Sequence, residues 1–133
     1  MATVFADTFY FIALLDSADA KHVPAVDWSR QKSITFLTTE YVLMELGNAF
    51  CALGDREEFA VFHESVRSDS KFQVVVSSAT FYASGINLYR RRRDKEWSLT
   101  DCTSFVAMKE HGVRDALTGD KHFEQAGFSA LLK

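Results

Sequence analysis

The strongest constraint on this chain is a set of short apolar runs that do not alternate. Thr3-Val4-Phe5-Ala6 and Ile34-Thr35-Phe36-Leu37-Thr38 are two; Phe72 to Val76 is a third, apolar but for Gln73, and Val113 to Thr118 carries a shorter one. A strand with one wet face alternates apolar and polar residues, whereas a strand covered on both faces need not. Between the runs lie segments with helical character. They are Thr8 to Leu15, His22 to Arg30, Thr38 or Thr39 to Leu53, Asp55 to Ser68, Ser77 or Ser78 to about Arg93, and Ser98 to Gly112. Strands separated by helices predict an α/β fold: a parallel β-sheet with helices on both faces. Phe128 to Leu132 can add a last strand.

At 133 residues and 47% hydrophobic, the chain predicts one domain, residues 1–133, with a real core rather than disorder. It shows no internal repeat, no apolar run of bilayer length and no signal-type N-terminus, so the expectation is a cytoplasmic protein with no membrane segment. Cys51 and Cys102 lack metal-type spacing and read as buried or helix-face thiols. Near a helix N-terminus, Cys102 can have a lowered pKa.

Trp97 to Phe128 holds the most legible local signals. Ser98-Leu99-Thr100-Asp101 has the spacing of a capping box, with Trp97 and Cys102 as its hydrophobic staple. Phe105, Val106 and Lys109 continue the Cys102 side, and Gly112 ends the helix. In the helix after the second strand, Val42, Leu46, Ala49, Phe50 and Leu53 form the stripe. Glu45 lies about 60° from its centre, bordering the core, and Asn48 shares that edge. The helix after the third strand shows a stripe of Ala79, Tyr82, Ala83, Ile86 and Tyr89 and ends in Arg90 to Arg93. That run suits a solvated helix C-terminus. Arg90 and Arg93 continue the Ile86 side and are the candidates for phosphate contact.

Each acid taken alone has a structural reading: Asp101 as half of a capping box, Asp120 as a turn or cap residue, Glu45 as a helix-flank carboxylate. Taken together they suggest a site. Ligands of open α/β sheets sit outside the C-terminal ends of the strands. Asp7 follows the first strand, Asp120 follows the strand after Gly112, and Glu45 is in the second turn after the second strand. Asp101 opens the helix that leads to the later strand, which leaves its end of the sheet less defined; Asp115 precedes its strand and points to the opposite end. Two carboxylates ~4 Å apart repel by ~4 kcal/mol at an effective dielectric of ~20, and a hard divalent cation relieves that repulsion. No His or Cys pair has zinc spacing, His122 reads as a local helix residue, and there is no glycine-rich phosphate loop. The net charge of −3 argues against nucleic-acid binding. That argument weakens if four of the 18 acids belong to one site, because the remainder no longer outnumber the 15 Lys and Arg.

Asp7-Thr8, Glu45, Trp97 to Asp101 and Leu117-Thr118-Gly119-Asp120-Lys121-His122-Phe123, with Gln125 to Phe128 behind them, resemble the PIN domain. They are most similar to VapC-type toxins of bacterial toxin–antitoxin pairs. The resemblance implies a Mg²⁺- or Mn²⁺-dependent endoribonuclease with Asp7, Glu45, Asp101 and Asp120 as its acidic, metal-holding pocket. It also implies an RNA substrate, a homodimer and a small antitoxin that inhibits it. Thr8, Asn48, Thr118, Arg90 and Arg93 are then the candidate substrate contacts. The alternative is a catalytically inactive member of the fold that binds RNA or protein. Phe9 departs from the pattern, since many members carry a small residue there, and it is expected to narrow the site.

Overall fold

The computed structural model describes residues 2–133; Met1, part of the expected domain, lies outside the described residues. The chain runs β1 (Ala2–Ala6), α1 (Thr8–Leu15), α2 (His22–Ser29), β2 (Ile34–Thr39), α3 (Glu40–Ala49), α4 (Arg56–Ser68), β3 (Phe72–Val75), α5 (Ala79–Arg91), α6 (Leu99–Glu110), β4 (Asp115–Leu117), α7 (Lys121–Gln125) and β5 (Ser129–Ala130). The strands form one sheet in the order β3-β2-β1-β4-β5, and every pair is parallel. This is the α/β architecture expected from the apolar runs. No helix is long and apolar enough to cross a membrane among the described residues.

The strand order reverses at β1. After β1 the chain adds β2 and β3 on one side, then returns to place β4 and β5 on the other. A crevice outside the strand ends is the expected consequence, here between β1 and β4. Phe5 pairs with Ala116 and Ala6 with Leu117, so the residues that follow, Asp7 and Thr118, arrive side by side.

The core is rich in aromatic rings. Phe5, Tyr10, Phe11, Phe36 and Phe123 are fully or almost fully buried. Phe105 meets Trp97 and Phe123 edge-on, with centroids 4.9 Å away in each case. Each such pair adds roughly 0.5–1.5 kcal/mol beyond the area it buries.

Three helices differ from their expected faces. α3 stops at Ala49 rather than Leu53, which is almost fully exposed, and it buries Val42, Leu43 and Leu46. α5 buries Phe81 and Gly85, while Tyr82 and Tyr89 stay about half exposed. The buried side is therefore one residue, about 100°, away from the expected stripe. The cause is Gly85: a Cβ there would come 2.5 Å from Thr103 Cγ2, so the missing side chain lets α5 settle onto α6. α6 is buried on more than a stripe, through Cys102, Thr103, Ser104, Phe105, Ala107 and Met108, whereas Lys109 is exposed. Its end is as expected. Gly112 has φ +66°, its N–H donates to Lys109 O, and Val113 N–H donates to Met108 O at 2.9 Å, which together form a Schellman motif.

Gly85→Val is expected to destabilise the fold by about 1–3 kcal/mol through overpacking against Thr103. Gly54 has no heavy atom within 4 Å of an added Cβ, and Gly54→Ala should leave stability unchanged or raise it slightly. Urea unfolding of both variants checks the pair; equal stabilities would remove the close α5–α6 approach as a determinant of the fold.

Candidate active site

Asp7 is the N-cap residue of α1, but its side chain makes no cap hydrogen bond. Instead the carboxylate is buried at the β1–β4 crevice, and Thr118 Oγ1 donates to Asp7 Oδ2 at 2.9 Å. Burial pushes its pKa up from 3.8 to about 7, the negative charges of Asp101 and Glu45 push the same way, and the Thr118 hydrogen bond opposes them. Thr118 is itself fully buried, and its oxygen also accepts from Asp120 N–H at 3.1 Å. One hydroxyl thereby fixes Asp7 against the backbone that presents Asp120.

Asp101 fulfils its structural reading and a second role at once. Ser98 Oγ accepts from Asp101 N–H at 3.0 Å, and Asp101 Oδ2 accepts from Ser98 N–H at 3.1 Å, a complete capping box. The same Oδ2 lies 3.0 Å from His122 Nδ1. The end of the sheet at which Asp101 sits follows from topology: α6 leads into β4, so its start lies at the C-terminal edge. Trp97 buries its ring against Phe105 and donates its indole N–H to Gln125 Oε1 at 3.0 Å, which joins the approach to α6 to α7.

Asp120 caps α7 and accepts from His122 N–H at 2.9 Å. A five-residue helix is not stable by itself. Phe123 anchors this one, fully buried between Phe5 and Phe105. Its neighbour His122 is thereby turned onto the acids, with Nδ1 3.5 Å from Asp120 Oδ1. Asp101, Asp120 and His122 each offer one ligand atom within 4.8 Å of the others, with side chains 13%, 36% and 21% exposed. This cluster can hold a metal ion. His122 is thus more than the local helix residue expected from sequence; the signal for it is its position two residues after an N-cap acid, which keeps it beside that acid.

Asp7 and Glu45 stand outside that tight set. Glu45 is exposed rather than bordering the core, and it lines an open groove of about 260 Å³ with Tyr41, Asn48, Tyr82 and Thr100. Asn48 is thus beside Glu45 as expected. Thr8 is buried next to Asp7, and its hydroxyl has no hydrogen-bond partner among the described residues. Phe9 projects over Gly119, where an added Cβ would meet its ring at 2.6 Å, so the bulky residue is accommodated by the glycine between Thr118 and Asp120. Arg90 and Arg93 line a different hollow and are not brought to the acids. Cys102 also departs from expectation: burial first, then the Asp101 charge, pushes its thiol up to about 11 rather than down, so it stays protonated at neutral pH.

Residues 4–129 match the PIN domain. The chain belongs to the PIN-domain family. It is 28% identical over 127 residues to the 23S rRNA-specific endonuclease VapC20 of Mycobacterium tuberculosis, covering 94% of this chain and 95% of that one. The crystal structure of M. tuberculosis VapC20, described as a sarcin–ricin loop cleaving toxin, matches with a TM-score of 0.85 and 25% identity, covering 98% of this chain and 99% of that one. FitAcB from Neisseria gonorrhoeae shares the fold at a TM-score of 0.65 and 20% identity, over 96% of this chain and 95% of that one. Family and homology make this PIN domain a nuclease, a hydrolase.

The burial of Asp7 has a measurable consequence for the metal-free protein. Unfolded, it loses its proton near 3.8, and folded, near 7. Between these values the folded state binds more protons, so stability falls as pH rises through the window, by on the order of 4 kcal/mol. Asp7→Asn removes this loss and can still accept from Thr118. In EDTA the variant should match wild type near pH 4 and exceed it above about pH 7. Urea unfolding across pH is the measurement, and parallel stability curves would contradict the assigned environment of Asp7.

Proposed function

We propose that this PIN domain is a Mg²⁺- or Mn²⁺-dependent endoribonuclease and the toxin of a type II toxin–antitoxin pair. The observation that carries the reading is the cluster of Asp101, Asp120 and His122, with the buried Asp7 near enough to feel the charges of Asp101 and Glu45. A carboxyl whose ionisation is opposed first by burial and then by its acidic neighbours is a group that a cation readily ionises. The donor set is mainly oxygen, which fits a hard divalent ion. Asp7, Asp101 and Asp120 would hold it, with Glu45 completing the pocket from the groove side. When bound, such an ion supplies an activated water and neutralises charge gathering at phosphorus.

The chain's own residues prepare that chemistry. Thr118 holds Asp7 in one orientation and draws the backbone of Asp120 towards it. Ser98 N–H and His122 Nδ1 both hold Asp101 Oδ2, which fixes the carboxylate before any ligand arrives. Tyr41, Asn48, Tyr82 and Thr100 line the groove beside Glu45 and offer hydrogen-bonding groups and ring faces to an unstacked nucleotide. Thr8, next to Asp7, keeps a buried hydroxyl without a partner among the described residues, so a substrate would reach it only if the crevice opened. The substrate of the VapC20 relative makes 23S rRNA the first RNA to test. A small antitoxin partner, a homodimer and a cytoplasmic location belong to the same reading.

Asp7→Asn and Asp101→Asn should each lower cleavage by more than about 100-fold, because both remove a charge from the ion site. Thr118→Val should cost less, about 10–100-fold, as is usual for a residue that only orients a ligand. The assay is cleavage of purified 23S rRNA with Mg²⁺ or Mn²⁺, with EDTA as the negative control. Wild-type cleavage rates in both Asp variants, with unchanged circular dichroism, would overturn the site.

A further inference from the structure

The four arginines at the end of α5 do not share one role. Arg92 is tied into the fold: its guanidinium donates to both carboxylate oxygens of Asp94, at 3.0 and 3.1 Å, and lies 4.9 Å over the Trp97 ring. α5 ends at Arg91 and the backbone leaves the helix at Arg92, so Arg93 no longer follows the helical repeat. That turn brings Arg93 to the same hollow as Arg90 and Arg91. The hollow holds about 850 Å³ and is also lined by Ser84, Asn87, Tyr89 and Val106. No acid lines it, and none of the three arginines pairs with a carboxylate among the described residues. Three guanidinium groups without a carboxylate partner among the described residues line one hollow, a locally positive patch in a chain of net charge −3.

The hollow is separate from the groove beside Glu45, since the two share no lining residue. α5 connects them, with Tyr82 at the groove and Tyr89 and Arg90 at the hollow. At 1.5 Å per residue, these ends are about 12 Å apart along the helix. Tyr89 is half exposed and adds a ring face beside the guanidinium groups. Phosphate-pairing cations next to an exposed aromatic ring are the combination that holds a nucleic-acid strand without reading its sequence.

We infer that the Arg90–Arg91–Arg93 hollow is an RNA-backbone anchoring site distinct from the cleavage groove, gripping phosphates of the substrate away from the bond that breaks. The inference rests on the RNA reading above, but it can be tested without cleavage. Binding of fluorescent polyuridylate is measured in EDTA over a range of salt concentrations for the full chain and for the Arg90→Ala/Arg91→Ala/Arg93→Ala variant. Every phosphate released from an arginine should flatten the log–log salt slope by about 0.7, so the triple variant should lose about 2. Replacing the same three residues by Lys keeps the charge and should retain the slope, which separates loss of the site from loss of the fold. With 23S rRNA and Mg²⁺ the alanine variant should show a raised KM at unchanged kcat. An unchanged salt slope overturns the proposal, and so does a fall in kcat at constant KM, which would place these arginines at the reacting bond. Loss of polyglutamate binding with polyuridylate binding intact would assign the hollow to an acidic protein segment and overturn it as well. Arginine-dependent polyuridylate binding by a chain that cuts no RNA would refute the nuclease reading and leave the anchoring site standing.

Discussion

Everything at the site depends on the pairing of β1 with β4. The two strands are far apart in sequence, yet their parallel register delivers Asp7 and Thr118 to neighbouring positions at one edge. The Thr118 hydroxyl then spans Asp7 and the Asp120 backbone. A displacement of either strand along the other would separate these groups and leave Asp7 buried without its donor, which costs more than the hydrogen bond itself contributes. The ring contacts running from Trp97 through Phe105 and Phe123 to Phe5 tie α6 and α7 to β1, so hydrophobic packing holds the elements that the polar contacts join.

The legible parts of the chain are those in which a local rule and the tertiary structure agree. Apolar runs without alternation become parallel strands, buried along most of β2 and the second half of β1 but only partly in β3, Ser98 and Asp101 form their box, and Gly112 takes the positive φ that ends α6. The illegible parts are those in which a distant neighbour decides. On α5, Tyr82, Ile86 and Tyr89 repeat at helical spacing as well as Phe81, Gly85 and Leu88 do, and only the approach of Thr103 selects the second set. His122 meets Asp101 across 21 positions of sequence, a proximity created by the burial of Phe123. The separation of Arg93 from the helical repeat depends on where α5 ends, and boundaries are the weakest part of any reading by periodicity.

The candidate site is also built from residues that stabilise the fold. Asp101 caps α6 and Asp120 caps α7, so the two acids are held by the helix starts they stabilise. Asp7 is the exception: it occupies an N-cap position without using its side chain there. Its carboxylate is turned into the crevice, where burial and its acidic neighbours oppose ionisation. Keeping such a group ionised above neutral pH costs the fold some stability.

The bond between Asp7 and Thr118 closes a loop across 111 positions of sequence. Contacts of that span form late, because the chain must surrender the freedom of everything between them first. During synthesis, Asp7, Glu45 and Asp101 all emerge before the strand that completes the crevice. A ribosome making this protein therefore carries an incomplete crevice until β4 has emerged. The order of residues along the chain acts as a timer, keeping Asp7 without its Thr118 donor until β4 has been made.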